Sequence, residues 1–276
     1  MKIAASTYLN SAPLVYSFAA GAQRNQVNLT GDAAPSHCAR LLAEGQCDVA
    51  LIPVIEYQRI PGLRIVADVS VAAKSSVRSV LLISRRPLDE IRGVALDNRS
   101  RTSQVLVRLL LAQPGRKQPQ YVTYTPDGTE TVEGILRGQD AALVIGDPAL
   151  SLRGRVAGQG IFVYDLAEEW RKMTGLPFVF AVWAAREDVC QNDRILGVDF
   201  VTAKHEGLQQ IPEIAGSYAA QLNLPREELL VYLRECVNFD LDENNLAGMK
   251  TYFAMADAYG LIEGQRDLRF VSSALA

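Results

Sequence analysis

Residues 98–103 combine two arginines with three hydroxyl side chains in the order Asn-Arg-Ser-Arg-Thr-Ser. An apolar run at 94–96 precedes them and leucines at helical spacing follow, so the pattern predicts a strand, a polar turn and a helix. A helix start has backbone N–H groups without partners and a partial positive charge, which suits a carboxylate or a phosphate. The alternative is that a hydroxyl only caps the helix. Four residues of this turn are candidate ligand-binding residues: Ser100, Arg101, Thr102 and Ser103.

A second strand–turn–helix unit lies near the N-terminus. Residues 2–6 are predicted to form a strand, and residues 7–14 a turn into a helix. Ser11 suits the N-cap of that helix and Pro13 its first turn. Asn10 lies at the tip of the turn, where its amide either closes an Asx-turn or faces a ligand.

The rest of the chain alternates between apolar strands and helical segments, which indicates an α/β protein with mostly parallel sheets. Residues 42–53 and 136–146 share a helix end, Gly-Gln, an Asp and an apolar strand, and this internal echo suggests two similar lobes. From about residue 193 onward the pattern predicts helices to the end. We expect a discontinuous first lobe, residues 1–88 plus 185–276, with the C-terminal helices packed on it, and a second lobe, residues 89–184.

Two lobes, two crossings and a cleft between them are the architecture of the type II periplasmic binding proteins. In such folds the ligand lies at the carboxyl ends of the strands, where helix starts from both lobes converge. This predicts further residues that line the cleft, besides those of the 98–103 turn: Tyr8, Ser11, Ile52, Pro53, Ser79, Gly146 and Asp147.

The composition is that of an ordinary soluble globular protein, with 276 residues, 49% hydrophobic and 21% charged side chains and a formal net charge of −3. A weakly acidic chain gives no support for nucleic-acid binding, which needs a basic face. No window reaches the ~18 uninterrupted apolar residues of a membrane span. We therefore expect a small-molecule partner, with no nucleic acid and no membrane.

The cysteines and histidines offer little to a metal ion, because no CxxC pair occurs and only His37 and His205 are available. Neither histidine lies in a predicted cleft turn, so a surface or packing role is expected for each. Polar residues interrupt the apolar N-terminal stretch, which favours a first strand over a signal peptide. We expect a cytoplasmic protein whose cysteines are buried free thiols: Cys38, Cys47, Cys190 and Cys236.

Several turns resemble the motifs of the chorismate dehydratase family, which opens the futalosine route to menaquinone. The similarity follows nearly the whole chain in the right order. The motifs are Tyr-Leu-Asn-Ser-Ala-Pro-Leu at 8–14, Leu-Ile-Pro-Val at 51–54, Ser-Val-Arg-Ser-Val at 76–80, Ser-Arg-Thr-Ser at 100–103, Ile-Gly-Asp-Pro-Ala at 145–149, Tyr-Asp-Leu-Ala-Glu-Glu-Trp at 164–170 and Thr-Gly-Leu-Pro-Phe-Val at 174–179. The sister family that forms dihydroxynaphthoate carries a different first turn, with proline and cysteine followed by Asn-Asp.

The resemblance implies a lyase that removes water from chorismate, a dicarboxylate, to give 3-enolpyruvylbenzoate without a metal or organic cofactor. It also implies that Asn10 stands at the reacting centre. The turn at Ser100–Ser103 is our candidate donor set for one carboxylate. Arg78 or Ser79 is the candidate for the other, and we favour Ser79 because alternation along a strand puts the two on opposite faces.

The proton acceptor stays open between three groups. A neutral amide such as that of Asn10 is a poor base. The enolpyruvyl carboxylate of the substrate could take the proton while Asn10 orients it, and Asp147 is a conventional carboxylate alternative. A different class of function also stays open, namely a cytoplasmic protein of the same fold that binds a small carboxylate without catalysis.

Overall fold

The strands form two separate sheets. A computed structural model describes residues 1–32, 34–112, 118–126, 131–153, 156, 160–192 and 194–274. In chain order the strands are β1 (Lys2–Ser6), β2 (Asn28–Asp32), β3 (Val49–Pro53), β4 (Leu63–Ala73), β5 (Val80–Ser84), β6 (Gly93–Asp97), β7 (Gln120–Tyr124), β8 (Ala141–Ile145), β9 (Phe162–Asp165), β10 (Phe178–Arg186), β11 (Arg194–Leu196) and β12 (Phe270–Ala274).

The large sheet has the order β11-β12-β4-β10-β3-β1-β2, and the small sheet has the order β7-β6-β8-β5-β9. Most of the strand pairs are parallel, as the alternation of strands and helices predicts. The exceptions are β10, which runs antiparallel to β3 and β4, and β5, which runs antiparallel to β8 and β9. Both exceptions are strands next to the places where the chain crosses between the sheets.

The chain crosses between sheets after β4 and again after β9, earlier than the predicted boundaries at residues 88 and 184. Residues 80–84 therefore pair within the small sheet, and residues 178–184 pair within the large one. The sequence pattern is ambiguous here, because a fully buried strand reads as a continuous apolar run whichever sheet it joins. Only the pairing partner assigns β5 and β10 to their lobes.

The helices cover the sheets and fill the space between them. They are α1 (Ala12–Ala19), α2 (Pro35–Ala43), α3 (Val54–Arg59), α4 (Arg101–Leu111), α5 (Val132–Ile135), α6 (Asp147–Arg153), α7 (Leu166–Thr174), α8 (Phe200–Gln209), α9 (Ile211–Leu222), α10 (Arg226–Val231) and α11 (Glu243–Ala258). A short 3-10 turn, Leu9–Ser11, lies before α1.

The prediction that the chain is helical from about residue 193 to the end is wrong at β11 and β12. The two strands pair with each other in parallel, and β12 also pairs with β4, with Phe270 opposite Ile65. These strands extend the edge of the large sheet, so they form because β4 supplies an edge with which β12 can pair. No local hydrophobic pattern predicts the two strands.

The C-terminal helices α8 to α10 pack on the large sheet and bury Phe200 and Ile211 with Phe18 and Trp183. Helix α8 lies so close to α1 that a Cβ at Gly207 would overlap the Pro13 carbonyl oxygen. This packing holds the segment that follows the Asn10 turn.

Helix α11 contacts both lobes. The Tyr252 ring packs edge-on against Trp170 of α7 and Phe178 of β10. Its hydroxyl donates a hydrogen bond to the Thr102 carbonyl of α4 at 2.9 Å. The last helix therefore braces the small lobe against the large one. Within the described parts of the chain, no helix is both long and apolar enough to cross a membrane.

Candidate active site

A cleft opens between the two sheets, and its empty volume, open solvent included, is about 490 Å³. Both lobes contribute walls, at the carboxyl ends of the parallel strands, where ligands lie in open α/β sheets. The large lobe supplies Ser6, Tyr8, Asn10, Ser11, Pro35, Leu51, Pro53, Val71, Phe180 and Ala181, and the small lobe supplies Val80, Ser100, Ser103, Ile145 and Gly146.

The start of α4 forms the polar wall of the small lobe. Ser100 occupies the N-cap, but its side chain caps no backbone amide and its Oγ instead donates to Ser103 Oγ at 2.7 Å. The first amides of α4 therefore keep their hydrogens for an acceptor from outside the helix. Two hydroxyls and a helix N-terminus at one point of the cleft can bind a carboxylate.

The arginines of this turn do not join that wall. Arg99 donates from Nε and Nη2 to the carboxylate of Asp97, which is fully buried, with the closest contact at 2.7 Å. Its guanidinium lies 5.9 Å from the centre of the Tyr8 ring. Arg101 is exposed and is not among the residues that line the cleft. Arg99 is thus neutralised, and the binding wall is built from neutral donors.

The turn after β1 carries Asn10 and Ser11. Asn10 is half-buried, and its Oδ1 accepts from Ser11 Oγ at 3.2 Å. Tyr8 borders the same space, and its hydroxyl is a buried group without a hydrogen-bond partner among the described residues. Burial raises the pKa of the Tyr8 phenol, so that it stays a donor. A buried donor without an acceptor is costly unless a ligand supplies one.

Gly146 and Asp147 bring the small lobe against this turn. Gly146 has φ of +67°, and a Cβ there would lie 2.7 Å from carbon atoms of the Tyr8 ring. Leu9 N donates to Asp147 Oδ1 at 2.9 Å. Burial raises the pKa of the Asp147 carboxyl to about 6, and the bond from Leu9 offsets part of that rise.

The structure brings seven of the predicted site residues together in the lining of the cleft: Tyr8, Asn10, Ser11, Pro53, Ser100, Ser103 and Gly146. Arg101, Asp147 and three fully buried residues lie outside it. Ile52 points away from the cleft because its neighbours Leu51 and Pro53 take that face. Ser79 Oγ accepts from Tyr232 Oη at 2.8 Å, and Val80 lines the cleft instead. Thr102 Oγ1 accepts from Ile55 N at 3.3 Å and so connects α4 to α3.

Arg78, the alternative to Ser79, is also not among the lining residues. Its backbone has φ of +63°, and its amide donates to Asp165 Oδ2 at 2.6 Å. The Asp165 carboxylate also accepts from Val77 N and caps α7. It thereby ties the chain crossing at 76–78 to the small lobe, a structural use that the motif at 164–170 did not reveal.

Most of the apolar walls of the cleft and one of its hydroxyls were not predicted from the sequence. Strand alternation around Pro53 could have identified Leu51. Nothing local marks Ser6, Pro35, Val71 or Phe180, which reach the cleft from strand ends and from the start of α2. Pairing between distant strands alone brings these residues together.

The lining residues include no acidic and no basic side chain. Among the described residues, no three His, Cys, Asp or Glu side chains gather as a set of metal ligands. The cleft offers hydroxyls, one carboxamide, a helix N-terminus and apolar walls. Such a surface can bind a small anionic ring compound and orient it.

Comparison with known proteins agrees with this reading of the molecule. A curated chorismate dehydratase from Thermus thermophilus is 31% identical, with 83% of this chain and 86% of the relative aligned. Protein AF1704 from Archaeoglobus fulgidus has a similar structure, with a TM-score of 0.68, 18% identity, and coverage of 95% of this chain and 98% of that chain.

The periplasmic aliphatic sulphonate binding protein SsuA from Escherichia coli superposes with a TM-score of 0.62 at 16% identity, covering 98% of this chain and 95% of that one. These structural likenesses confirm the predicted two-lobed, periplasmic-binding-protein-like α/β fold. A protein-family model described as menaquinone biosynthesis matches residues 1–258. The chain therefore belongs to this menaquinone biosynthesis family.

Proposed function

We propose that this protein is a lyase that removes water from chorismate and releases 3-enolpyruvylbenzoate. The observation that carries the proposal is the alignment with a curated chorismate dehydratase over most of both chains. The cleft supports it, because neutral donors and a helix start face the same space between the lobes.

The reaction needs one proton and one hydroxyl group to leave the ring. The C3 proton is vinylogous to the ring carboxylate, so its removal produces an extended enolate. Expulsion of the C4 hydroxyl, protonated as water, then makes the ring aromatic. The proton and the hydroxyl together account for the water that is lost, and no electron acceptor is required.

The start of α4 is our proposed seat for the ring carboxylate. The hydroxyls of Ser100 and Ser103 and the first amides of the helix would stabilise the negative charge that grows there as the C3 proton leaves. The Tyr8 hydroxyl, which has no acceptor among the described residues, is a further donor for a substrate oxygen. Lone-pair acceptors on the substrate would satisfy these groups.

The enolpyruvyl carboxylate of the substrate is our proposed proton acceptor, with Asn10 orienting it. A carboxamide is too weak a base for the task, and no acidic side chain lines the cleft. Asn10 can donate from Nδ2 to a carboxylate oxygen, since its Oδ1 accepts from Ser11 Oγ. Asn10 would therefore position the carboxylate by a hydrogen bond, which a neutral carboxamide can donate.

Two further assignments follow as proposals. The family description supports a place in menaquinone biosynthesis, and we propose the first step of the futalosine route. We also propose a cytoplasmic location. The free, buried thiols of Cys38 and Cys47 support it, because unpaired cysteines are typical of reducing compartments.

The test is to mix the purified, metal-free protein with chorismate and to follow the products by chromatography with mass detection. Loss of one water to give an enolpyruvylbenzoate supports the lyase. Chorismate that binds in calorimetry but is recovered intact supports the alternative, a carboxylate-binding protein of the same fold. Chorismate that neither binds nor reacts contradicts both. A reaction without protein controls for spontaneous decay of chorismate.

A further inference from the structure

One hydrogen bond joins the two lobes at the turn that carries Asn10. Leu9 follows β1 of the large sheet, and Asp147 follows β8 of the small sheet. Leu9 N donates to Asp147 Oδ1 at 2.9 Å across the boundary between the lobes. The contact exists only while the lobes are together.

The bond supplies what this turn lacks in its own lobe. Leu9 is the first residue of the 3-10 turn Leu9–Ser11, and Tyr8 at its N-cap provides no side-chain acceptor. The first amides of such a turn need an acceptor from elsewhere. Asp147 therefore caps the turn from the opposite lobe, one residue before Asn10.

The packing beside this hydrogen bond also requires the two lobes to be in contact. The Tyr8 ring lies against Gly146, where a Cβ would collide with it, and the positive φ of Gly146 also favours glycine. Gly146 N in turn donates to the Ser79 carbonyl at 2.7 Å, which holds it within the small lobe. The segment 146–147 therefore fits the segment 8–9 by shape as well as by the hydrogen bond.

Asp147 is poorly placed to act on a substrate directly. It does not line the cleft, and its Oδ1 is already occupied by the Leu9 amide. We infer that Asp147 is a positioning residue, which holds the lobes together and orders the Asn10 turn on closure, and that it is not the base of the reaction. The effect on turnover rests on the proposed function, whereas the effect on lobe closure does not.

The experiment compares Asp147→Ala with Asp147→Asn, because an asparagine Oδ1 still accepts from Leu9 N but cannot act as a carboxylate base. Asp89→Ala, which removes an exposed carboxylate of the small lobe, is the matched control. Small-angle X-ray scattering of the ligand-free proteins reports closure, and steady-state kinetics with chorismate report kcat and KM. Circular dichroism checks that each variant is folded.

We expect Asp147→Ala to have a larger radius of gyration and a kcat at least tenfold lower, while Asp147→Asn and Asp89→Ala stay within about threefold of the natural protein. Equal loss of activity in both Asp147 variants, with unchanged scattering, would overturn the inference and favour a base. Unchanged scattering and kinetics in Asp147→Ala would overturn it as well. If Asp147→Ala does not fold, Asp147→Asn decides whether Asp147 is the base, because loss of a base would lower the kcat of that variant. A natural protein without turnover contradicts the proposed function, and the scattering still tests closure.

Discussion

The two strand-to-helix turns that face each other across the cleft differ in what completes them. In the turn before α4, polar side chains are held within their own lobe, where Asp97 binds Arg99 and Ser100 bonds Ser103, while Ser36 N of the large lobe donates only to the Arg99 carbonyl. The turn before α1 takes its capping acceptor, Asp147, from the opposite lobe. We therefore expect the hydroxyls of the α4 turn to be arranged before the lobes close, and the turn before α1 to reach its final geometry when they meet.

This difference separates binding from turnover in the proposed reaction. On the proposed function, we expect groups of the α4 turn to contact the substrate whether or not the cleft is fully closed, so their loss should act mainly on KM. The Asn10 turn completes the arrangement, so its loss should act mainly on kcat. Substitutions in the two turns should therefore change different kinetic constants.

The largest effect is expected for Asn10→Ala. We expect kcat to fall by about 100-fold or more, equivalent to roughly 3 kcal/mol of transition-state stabilisation, because the substrate carboxylate loses its orienting amide. The melting temperature should change little, since Asn10 is half-buried and, among the described residues, its side chain bonds only Ser11. Steady-state kinetics and thermal melts measure both quantities. Asn98→Ala, which alters the other turn outside the lining, is the control, and a natural kcat in Asn10→Ala would contradict the assignment.

Asp147 should make stability fall with rising pH relative to Asp147→Asn. Burial raises the pKa of this carboxyl from 3.8 to about 6 in the folded protein. Its stabilising contribution is therefore complete below pH ~4 and is lost as the pH rises through about 6, by up to about 3 kcal/mol. Urea unfolding of the natural protein and of Asp147→Asn across this range measures the difference. Parallel pH profiles for the two proteins would show that the carboxyl is not buried.

Removing both hydroxyls of the α4 turn, as Ser100→Ala with Ser103→Ala, should raise KM about tenfold or more. Each lost hydrogen bond to a carboxylate is worth about 1 kcal/mol, and the backbone amides remain. We expect kcat to change by less than about threefold, because the α4 turn is assigned to substrate binding and the Asn10 turn to turnover. Ser75→Ala, at an exposed position, serves as the control. A loss confined to kcat would reverse the roles assigned to the two turns.

Tyr8→Phe keeps the ring against Gly146 and removes only the hydroxyl. We expect KM to rise about fivefold, close to 1 kcal/mol, because a substrate oxygen loses its donor. The free energy of unfolding should stay the same or rise, since the hydroxyl has no partner among the described residues. Tyr16→Phe, whose hydroxyl donates to exposed Glu213, is the comparison variant. A clear loss of stability with unchanged KM would show that the hydroxyl serves the fold.

The smallest effect on the reaction is expected for Thr102→Ala. Thr102 lies outside the lining, and its Oγ1 accepts a long hydrogen bond from Ile55 N. We expect the free energy of unfolding to fall by about 0.5–1 kcal/mol and KM to change by less than about twofold. Denaturant unfolding and kinetics check the two expectations. A large rise in KM would return Thr102 to the substrate site.

The fold and part of the site could be predicted from local patterns. Apolar strands alternating with helices indicated an α/β protein, and the polar turns at Asn10 and Ser100 marked the cleft, because a helix start after a strand end is recognisable in a few residues. Local patterns did not assign a strand to its sheet where the strands that pair with it are distant in the chain. Residues 80–84 and 178–184 joined the other sheet, and β12 formed on an edge that β4 supplies.

Local sequence is enough to place polar residues at the strand ends, a glycine where the turn at 146 requires it, and neutral hydroxyls at the start of α4. Which of these side chains border the cleft depends on how the two lobes pack together. The way the sheets meet decided that the face of β3 with Leu51 and Pro53, and not the face with Ile52, borders the cleft, and Asp97 binds the Arg99 guanidinium that the sequence pattern offered to an anion. It also carried Asp147 from its own strand end to Leu9, 138 positions away in the chain. Side-chain direction and long-range pairing depend on how the two sheets meet, and a short stretch of sequence does not encode that.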